Sequence, residues 1–406
     1  MNIRELSLKE FETFSENHPL GNFHQTKNYA LSKAEEGYEY EFIGYCEKKT
    51  VLAASLILYK KIGKWYYGYA PCGFLIDYTN KYFLKIFTEQ LKEYYYSRNF
   101  AFIKINPEIA IGTMNKKTFN IEYNNNYSII DNLLSCGYKK LKNNLYFEAL
   151  QPRFNVIIPL KEFDINKVNK NTRNKINKGI RKGLYLEKGG LEDIDNIYDL
   201  IKNKRNKNVN YYKDLYNVFI TTKAIDIFKV KINFKKYLLN AQLTYEKEIN
   251  KNNYLNKLII TNNNSKTINK KMNSDKTLLS YKKDINEASK FINTNEDPIL
   301  ATAFVIKYEN RVTIYISGFN KKYKRYAANY FLHYALIEYY KKDYKYMDLI
   351  GITGDFTKDN PYHGLNDFKL NFNPNVYEYI GEFDLPINNM AYKTLLKNKL
   401  IFKEFN

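Results

Sequence analysis

The sequence is poor in the residues that build disulfide frameworks and metal centres. It has three cysteines, Cys46, Cys72 and Cys136, and four histidines in 406 residues, none with CxxC or metal-ligand spacing. An odd number of scattered cysteines is typical of a reducing compartment. We therefore predict neither a disulfide scaffold nor a zinc site.

Long apolar runs are missing as well. The longest, residues 51–59, is too short to cross a bilayer, and residues 1–5 lack the apolar core of a signal peptide. These absences favour a soluble cytoplasmic protein.

The chain has fewer acidic than basic residues. The chain has 64 Lys and Arg against 43 Asp and Glu, which gives a formal net charge of +21, and it has 40 Tyr and 26 Phe against a single Trp. A charge of this size favours polyanionic partners such as RNA, an anionic membrane face or a phosphorylated substrate. The alternative is that a lysine-rich proteome makes most of its protein surfaces basic.

The pattern of elements predicts two similar halves. In residues 1–150, helical patterns (10–18, 23–36 and 81–98) alternate with strand patterns (40–46, 51–60, 65–69 and 101–105). A comparable order follows, with strands at 154–158, 299–308, 311–318 and 346–351 and helices at 165–183, 191–206, 211–222 and 327–341. Strands and helices in this mixed order indicate an α/β layer architecture with mixed sheets.

A segment of different character interrupts the second half. Residues 234–292 contain no Pro or Gly, and apolar positions recur there at steps of three and four: Leu238, Ala241, Tyr245, Ile249, Asn252, Leu255 and Ile259. A weaker returning series follows a turn at residues 262–265: Ile268, Met272, Leu279, Ile285 and Ile292. The pattern predicts an antiparallel coiled-coil arm; the alternative is a solvated or disordered segment of low complexity.

The C-terminal third carries the strongest chemical signal. Residues 348–356 form a buried strand pattern that runs into a turn with Gly351 and Gly354, which permit close backbone approach or positive φ. Lys369 follows Phe368 among further aromatic residues. A lysine in such a wall is a candidate for stabilising developing negative charge, although a surface lysine that extends to water would look the same.

At these residues the sequence resembles the FemABX transferase family. The resemblance rests on segments that match in order and spacing along nearly the whole chain: residues 23–29 with Lys33, 70–78, 104–107, 151–153, 173–176 with Gly183, 351–356, 364–369 and 381–383. It implies two domains like the GCN5-type acetyltransferase fold. We expect the first in residues 1–150, the second in 151–231 and 296–382, a helical arm in 232–295, and a final segment, 383–406, that packs back on the first domain.

The resemblance also implies the reaction. Fem proteins take an amino acid from aminoacyl-tRNA and attach it to the stem peptide of a peptidoglycan precursor, lipid II or UDP-MurNAc-pentapeptide, without a further cofactor. Glycine is the favoured donor amino acid, with alanine or serine open. We expect a cytoplasmic enzyme, in possible peripheral contact with the inner membrane leaflet, and the arm, with twelve Lys against five acidic residues from 235 to 290, is suited to phosphate contacts.

Site residues are implied by the same matches. Lys369 matches the family lysine that offsets charge on the tetrahedral oxygen, with Phe368 beside it. Lys33 and Arg205 match positions that hold the acceptor diphosphate, and Tyr211 and Tyr315 match aromatic positions of the acceptor channel.

Asn106 departs from the family pattern, because it replaces an aspartate suggested as general base. An amide cannot accept a proton at neutral pH. The position then only binds the peptide, or solvent or the substrate deprotonates the amine, or the protein is an inactive tRNA-binding paralogue.

Two rival functions stay open. An acyl-CoA N-acyltransferase needs a Gly-rich loop for the CoA pyrophosphate, and residues 322–328 contain no glycine. A non-catalytic RNA-binding protein would fit the charge and the aromatic residues, but the sequence has no recognisable RNA motif.

Overall fold

The computed structural model describes residues 1–262, 264–293 and 297–397. Its helices, in chain order, are α1 (Leu8–Asn17), α2 (Lys27–Ala34), α3 (Lys81–Tyr96), α4 (Ile129–Ser135), α5 (Lys170–Arg181), α6 (Ile194–Ile201), α7 (Val209–Ile220), α8 (Phe234–Thr261), α9 (Ser265–Phe291), α10 (Ala328–Tyr340), α11 (His363–Leu370) and α12 (Asn389–Lys397). The strands of the first half are β1 (Asn2–Glu5), β2 (Glu39–Glu47), β3 (Thr50–Ile62), β4 (Trp65–Ala70), β5 (Phe100–Ile105), β6 (Ala110–Met114), β7 (Ile121–Tyr123) and β8 (Lys139–Lys140). Those that follow are β9 (Phe154–Pro159), β10 (Leu184–Gly189), β11 (Ile225–Ile232), β12 (Ile299–Tyr308), β13 (Arg311–Phe319), β14 (Tyr346–Ile352), β15 (Asn375–Tyr379) and β16 (Phe383–Pro386).

Two mixed sheets organise the described residues. One has the order β1-β2-β3-β4-β5-β16-β8 and the other β10-β11-β12-β13-β14-β9-β15-β6-β7. Each sheet contains three antiparallel strands followed by a helical crossover to a parallel strand: β2-β3-β4-α3-β5 in the first and β11-β12-β13-α10-β14 in the second. The predicted α/β class with mixed sheets is thereby confirmed.

The chain exchanges strands between the sheets. The hairpin β6–β7 comes from the first 150 residues but extends the second sheet beside β15, whereas β16, near the C-terminus, lies between β5 and β8 of the first. Helix α12 packs on β5 through Tyr392, whose ring contacts Phe102. The predicted range 1–150 therefore supplies strands to both sheets, and residues 398–406 of the predicted returning segment lie outside the described residues.

One apolar cluster joins the halves. Phe11, Tyr29 and Leu58 from the first half pack in the same buried cluster as Tyr212 and Phe304 from the second. Burying apolar area contributes about 25 cal/mol per Å², so a shared cluster of this kind fixes the two sheets relative to each other. The space between them is consequently a defined cleft.

Helices α8 and α9 form an antiparallel pair. The predicted apolar series on α8 faces its partner, with Ala241, Asn252 and Leu255 buried. On α9 the predicted series is wrong at three of its five positions, whereas Ile285 is partly buried against the core. Ile268, Met272 and Leu279 are exposed, and a set of small or polar residues faces α8 instead: Thr267, Ser274 and Ala288.

Polar contacts explain why polar residues of α9 are buried against α8. Asn252 donates to Ser274 Oγ and Asp275 Oδ1, at 3.1 and 2.9 Å, and Ser274 donates to Glu248 at 2.7 Å. A buried amide that finds its partners favours the register that supplies them. Residue 263, in the predicted turn, lies outside the described residues.

Two helices predicted in the second half are shorter than expected. The helix predicted over 165–183 begins at Lys170, because Asn169 caps it through Asn171 N–H. The helix predicted over 191–206 ends at Ile201, and Asn208 then caps α7 by accepting the Tyr211 N–H. Residues 202–208 are therefore a loop.

Candidate active site

A cleft of about 1070 Å³ opens between the two halves. Its walls come from α2 and the segment after β5 in the first half, and from the 202–208 loop, β13, β14, α10 and α11 in the second; residues 147–152 close one side. Open α/β sheets place ligands at the ends of their parallel strands, and the segment after β5 lies at such an end.

Lys369 lines the cleft from the last turn of α11. Its Nζ donates a 2.6 Å hydrogen bond to the Gly351 carbonyl on β14. Burial, with a smaller contribution from Lys204, lowers the pKa of Lys369 to about 7, although the Asp348 carboxylate opposes the shift. The attraction between this ammonium and a bound anion is stronger than it would be for an exposed lysine, because little water screens it.

Phe368 forms the wall beside this lysine. Its ring makes edge contacts with Tyr330 and His333, at centroid distances of 5.0 and 4.7 Å. Burial lowers the pKa of His333 to about 4, with Lys369 adding to the effect, and its Nδ1 lies 2.9 Å from the Asn329 carbonyl. The wall is therefore aromatic and uncharged at neutral pH.

Close backbone packing holds the strand that carries Gly351. A Cβ at Gly351 would lie 1.9 Å from Pro152 Cβ, and one at Gly354 would lie 2.6 Å from the ring of Phe154. Neither glycine has a positive φ; the left-handed residue of this turn is Ile350, at φ 62°. Of the two roles predicted for the glycines, close approach is the one observed.

Asn106 follows β5 directly and lies at the floor of the cleft. It is 5% exposed, and its Oδ1 accepts the Cys72 N–H at 2.8 Å. Its Nδ2 faces the Tyr69 hydroxyl and has no hydrogen bond of normal geometry within the described residues. The floor thus presents a buried donor at this position, where a carboxylate would present an acceptor.

An ion cluster lies beside Asn106. Arg311 Nη1 is 2.8 Å from Glu108 Oε2 and 3.6 Å from Asp348 Oδ2, and Asn155 donates to the same Asp348 oxygen at 3.1 Å. Burial raises the pKa of Asp348 against the opposing effect of Arg311. Both carboxylates line the cleft, which gives its floor an acidic character.

A second part of the cleft, which we call its cationic end, is lined by basic residues. Lys33, on α2, lies 5.5 Å from the centroid of the Tyr29 ring, and the Arg205 guanidinium lies 4.2 Å from that of Tyr315. Arg205 donates to the Tyr315 carbonyl at 3.2 Å and has no ion pair within the described residues. Burial, and to a smaller extent the charges of Lys33, Arg205 and Arg311, lowers the pKa of His24 to about 3.

The structure brings the predicted site residues together. Six of them line the cleft, namely Lys33, Asn106, Arg205, Tyr315, Phe368 and Lys369. Tyr211 stands behind this wall, and its hydroxyl lies 2.6 Å from that of Tyr315. Arg205 lies on the 202–208 loop and not on the predicted helix.

Sequence reasoning missed six charged residues of the cleft: Glu36, Glu108, Glu148, Lys204, Lys207 and Asp348. Glu36 is three residues after Lys33, and Glu108 is two after Asn106. Their proximity along the chain to predicted site residues could therefore have identified both as candidates. Lys207 and Asp348 reach the cleft only through the packing of the two halves. In the described residues, no group of three or more His, Cys, Asp or Glu could hold a metal ion.

The chain is similar to known proteins in both sequence and fold. The model of the FemAB family matches residues 6–397. The chain belongs to the FemAB family. The family resemblance predicted from the sequence motifs is thereby confirmed.

Individual relatives in this family align over the whole chain. Aminoacyltransferase FemA of Staphylococcus epidermidis is 28% identical over 98% of this chain and 100% of its own length. The lipid II:glycine glycyltransferase of Staphylococcus saprophyticus is 24% identical over 98% of this chain and 96% of its own. The crystal structure of FemX shares the fold, with a TM-score of 0.77 at 19% identity over 98% of this chain and 100% of that one.

Proposed function

We propose that this FemAB-family enzyme is an aminoacyltransferase that moves an amino acid from aminoacyl-tRNA to an amino group on the stem peptide of a peptidoglycan precursor. The observation that carries the proposal is one cleft that is lined both by a half-buried lysine, Lys369, and by a cationic, tyrosine-lined subsite. Such a cleft suits an acceptor that carries both a diphosphate and a reacting amine. Relatives named aminoacyltransferase FemA and lipid II:glycine glycyltransferase support the same reaction.

The reaction needs few groups. The neutral amine attacks the carbonyl carbon of the aminoacyl ester, a C–N bond forms, the ester C–O bond breaks, and the ribose oxygen of the tRNA leaves with a proton. The Lys369 ammonium offsets the charge that forms on the carbonyl oxygen, and Phe368 keeps water from that side. No covalent enzyme intermediate is required, and the nearby Cys72 is 1% exposed with a pKa raised by burial, which suits a structural thiol.

The proton of the amine does not pass to Asn106. The amide nitrogen of this residue is a donor, and its oxygen is engaged by Cys72 N–H. We propose that Asn106 binds a carbonyl oxygen of the acceptor peptide, while the proton leaves to solvent or to the ribose oxygen.

Charge supports the proposed donor and acceptor, and the name of a relative supports the proposed amino acid. Aminoacyl-tRNA is the proposed donor because the protein carries a net charge of +21 and an arm rich in lysine. Glycine is the proposed amino acid, in line with the name of one relative, the lipid II:glycine glycyltransferase. Lipid II and its soluble nucleotide precursor share the diphosphate, so the cationic end accommodates either. With this donor, the reaction takes place in the cytoplasm.

Peripheral contact with an anionic membrane leaflet is proposed for the tip of the arm. Residues 249–274 contain five lysines and no acidic residue, and Ile260 is 85% exposed. Each lysine near an anionic surface contributes about 1 kcal/mol, and an exposed isoleucine suits the interface. In the described residues no helix is long and apolar enough to cross a membrane.

A transfer assay tests the proposed function. Purified protein is incubated with tRNA charged with radiolabelled glycine, alanine or serine and with lipid II or UDP-MurNAc-pentapeptide. We expect label on the precursor only when the tRNA is charged. Label that appears from acetyl-CoA and not from tRNA would support the rival acyltransferase on the same fold.

A further inference from the structure

One carboxylate joins two lysines at the cationic end of the cleft. Lys33 Nζ lies 2.7 Å from Glu36 Oε1, and Lys207 Nζ lies 2.5 Å from Glu36 Oε2. Lys33 and Glu36 belong to the first half, and Lys207 belongs to the 202–208 loop of the second. Glu36 therefore bridges the two halves across the mouth of this subsite.

The bridge lies among the three cations of the subsite, each of which faces a tyrosine ring. Lys207 Nζ is 4.9 Å from the centroid of the Tyr211 ring, in the same way that Lys33 faces Tyr29 and Arg205 faces Tyr315. Rings in such positions hold a cation without neutralising it. With Glu36 as the one partner carboxylate among the described residues, three positive charges meet one negative charge.

Each Glu36 oxygen bonds a different ammonium, as two oxygens of a bound phosphate would. Burial would raise the pKa of Glu36, but the two lysines outweigh it and hold this pKa below its ordinary value. The carboxylate is thus ionised at neutral pH. It follows Lys33 by three residues and lies just beyond the end of α2, where a side-chain rotation can move it away from the lysines.

We propose that Lys207 is a third cation of the diphosphate subsite, together with Lys33 and Arg205, and that Glu36 holds the place of a phosphate oxyanion until the acceptor displaces it. This inference rests on the proposed function, because it assigns further residues to the same acceptor subsite. It also links binding to the two halves, since the incoming diphosphate takes over the bridge between Lys33 and Lys207.

The bridge is also positioned by the backbone of the loop. Lys207 N–H donates to the Arg205 carbonyl at 2.8 Å, and the Tyr198 hydroxyl donates to the Lys207 carbonyl at 3.0 Å. Arg205 and Lys207 are thereby held on the same side of the loop, and both line the cleft. A loop fixed in this way presents two cations to one ligand with little ordering cost.

Binding of inorganic pyrophosphate to the full-length protein, measured by isothermal titration calorimetry, tests the inference without relying on transfer. We expect Lys207→Met to weaken binding about tenfold, in line with the loss of one charge-assisted phosphate contact. Glu36→Gln should tighten it about three- to tenfold, because the competing carboxylate is gone while the shape is kept.

Matched controls distinguish the displacement of Glu36 by the ligand from a general effect of net charge on anion binding. Glu35→Gln removes the same charge from the neighbouring exposed residue, and Lys202→Met removes an exposed lysine at the start of the same loop, whose partner is Asp199. Both should change pyrophosphate affinity less than twofold. Equal effects of Glu35→Gln and Glu36→Gln would overturn the role of Glu36.

The outcomes also separate this inference from the proposed function. If Lys33→Met and Arg205→Met abolish pyrophosphate binding while Lys207→Met and Glu36→Gln leave it unchanged, the further inference is wrong and the acceptor subsite stands. If none of the cation variants alters pyrophosphate binding, the acceptor subsite itself is misplaced, and both proposals are overturned.

Discussion

Replacing Lys369 by methionine removes the charge and keeps most of the apolar stem. In the structure its Nζ donates a 2.6 Å hydrogen bond to the backbone carbonyl of Gly351. Losing one preorganised group that stabilises an oxyanion lowers kcat roughly 10²–10³-fold, equivalent to about 3–4 kcal/mol. We expect Lys369→Met to lose activity in this range, with the KM for the acceptor little changed.

Stability should behave differently from activity. The folded-state pKa of Lys369 is about 7, below its ordinary value of 10.5. The folded protein therefore holds the charged form at a penalty that is fully present below pH 7 and disappears as the pH rises through the unfolded-state pKa. At pH 6 the methionine variant should accordingly melt no lower than the wild type, although Gly351 loses its hydrogen bond.

The pH dependence of transfer gives a second readout. The proposed role needs the ammonium of Lys369, and the attack needs the neutral acceptor amine, whose fraction rises with pH. In the wild type kcat/KM should therefore rise up to about pH 7 and level off above it, because the loss of the ammonium offsets the gain in neutral amine. Arginine stays charged across this range, so in Lys369→Arg any remaining activity should continue to rise above pH 7. A Lys358→Met variant at an exposed lysine serves as control. Activity of Lys369→Met within threefold of the wild type would refute the assignment of this lysine.

Other predictions concern the floor, the glycines and the arm. Asn106→Asp places a buried carboxylate where Nδ2 now lies, so we expect a lower melting temperature and a kcat changed less than threefold in the transfer assay; a large gain in kcat would show that a base is needed at this position. Gly351→Ala forces a Cβ against a neighbouring proline and should lower the free energy of unfolding by about 2 kcal/mol or more in a urea titration, whereas Gly364→Ala, which meets open space, should change it by less than about 0.5 kcal/mol. Ile260→Asp at the arm tip should weaken co-sedimentation with vesicles containing phosphatidylglycerol severalfold, while Leu279→Asp, at an exposed leucine in a part of the arm that contains acidic residues, should not; equal losses would place the membrane contact elsewhere.

The fold was largely accessible from sequence patterns because each element carries its own periodicity. The hairpin β12–β13, the crossover helix α10 and the strand β14 fall within a few residues of their predicted bounds. Strands β6 and β16 were not accessible in the same way. Each pairs with the sheet of the other half, and no local pattern records which distant strand will accept it.

In the arm, too, the local sequence pattern does not determine which side chains pack against a distant partner. On α8 the apolar steps identify the packed face. On α9 they fail over most of the helix, because Ser274 and Thr267 are buried while Leu279 faces solvent. A polar contact such as Asn252–Ser274 depends on the register between two helices, which an apolar series in one helix does not encode.

The site residues were accessible through motif resemblance, and the cleft they share required the structure. Lys369 and Lys33 lie more than 300 residues apart in sequence and line one cavity. Glu36 and Lys207 carry no motif of their own. Their ion pair forms because the loop after α6 approaches the end of α2 in the folded chain.

The most direct test of the account is single-turnover transfer from glycyl-tRNA to UDP-MurNAc-pentapeptide or lipid II, with wild type and Lys369→Met compared at pH 7. The account predicts label on the precursor with the wild type and a rate roughly 10²–10³-fold lower with the variant, at unchanged pyrophosphate affinity. Transfer at equal rates would contradict the role of Lys369. Absence of transfer from any charged tRNA, with pyrophosphate still bound, would contradict the proposed reaction and indicate a binding protein on this fold.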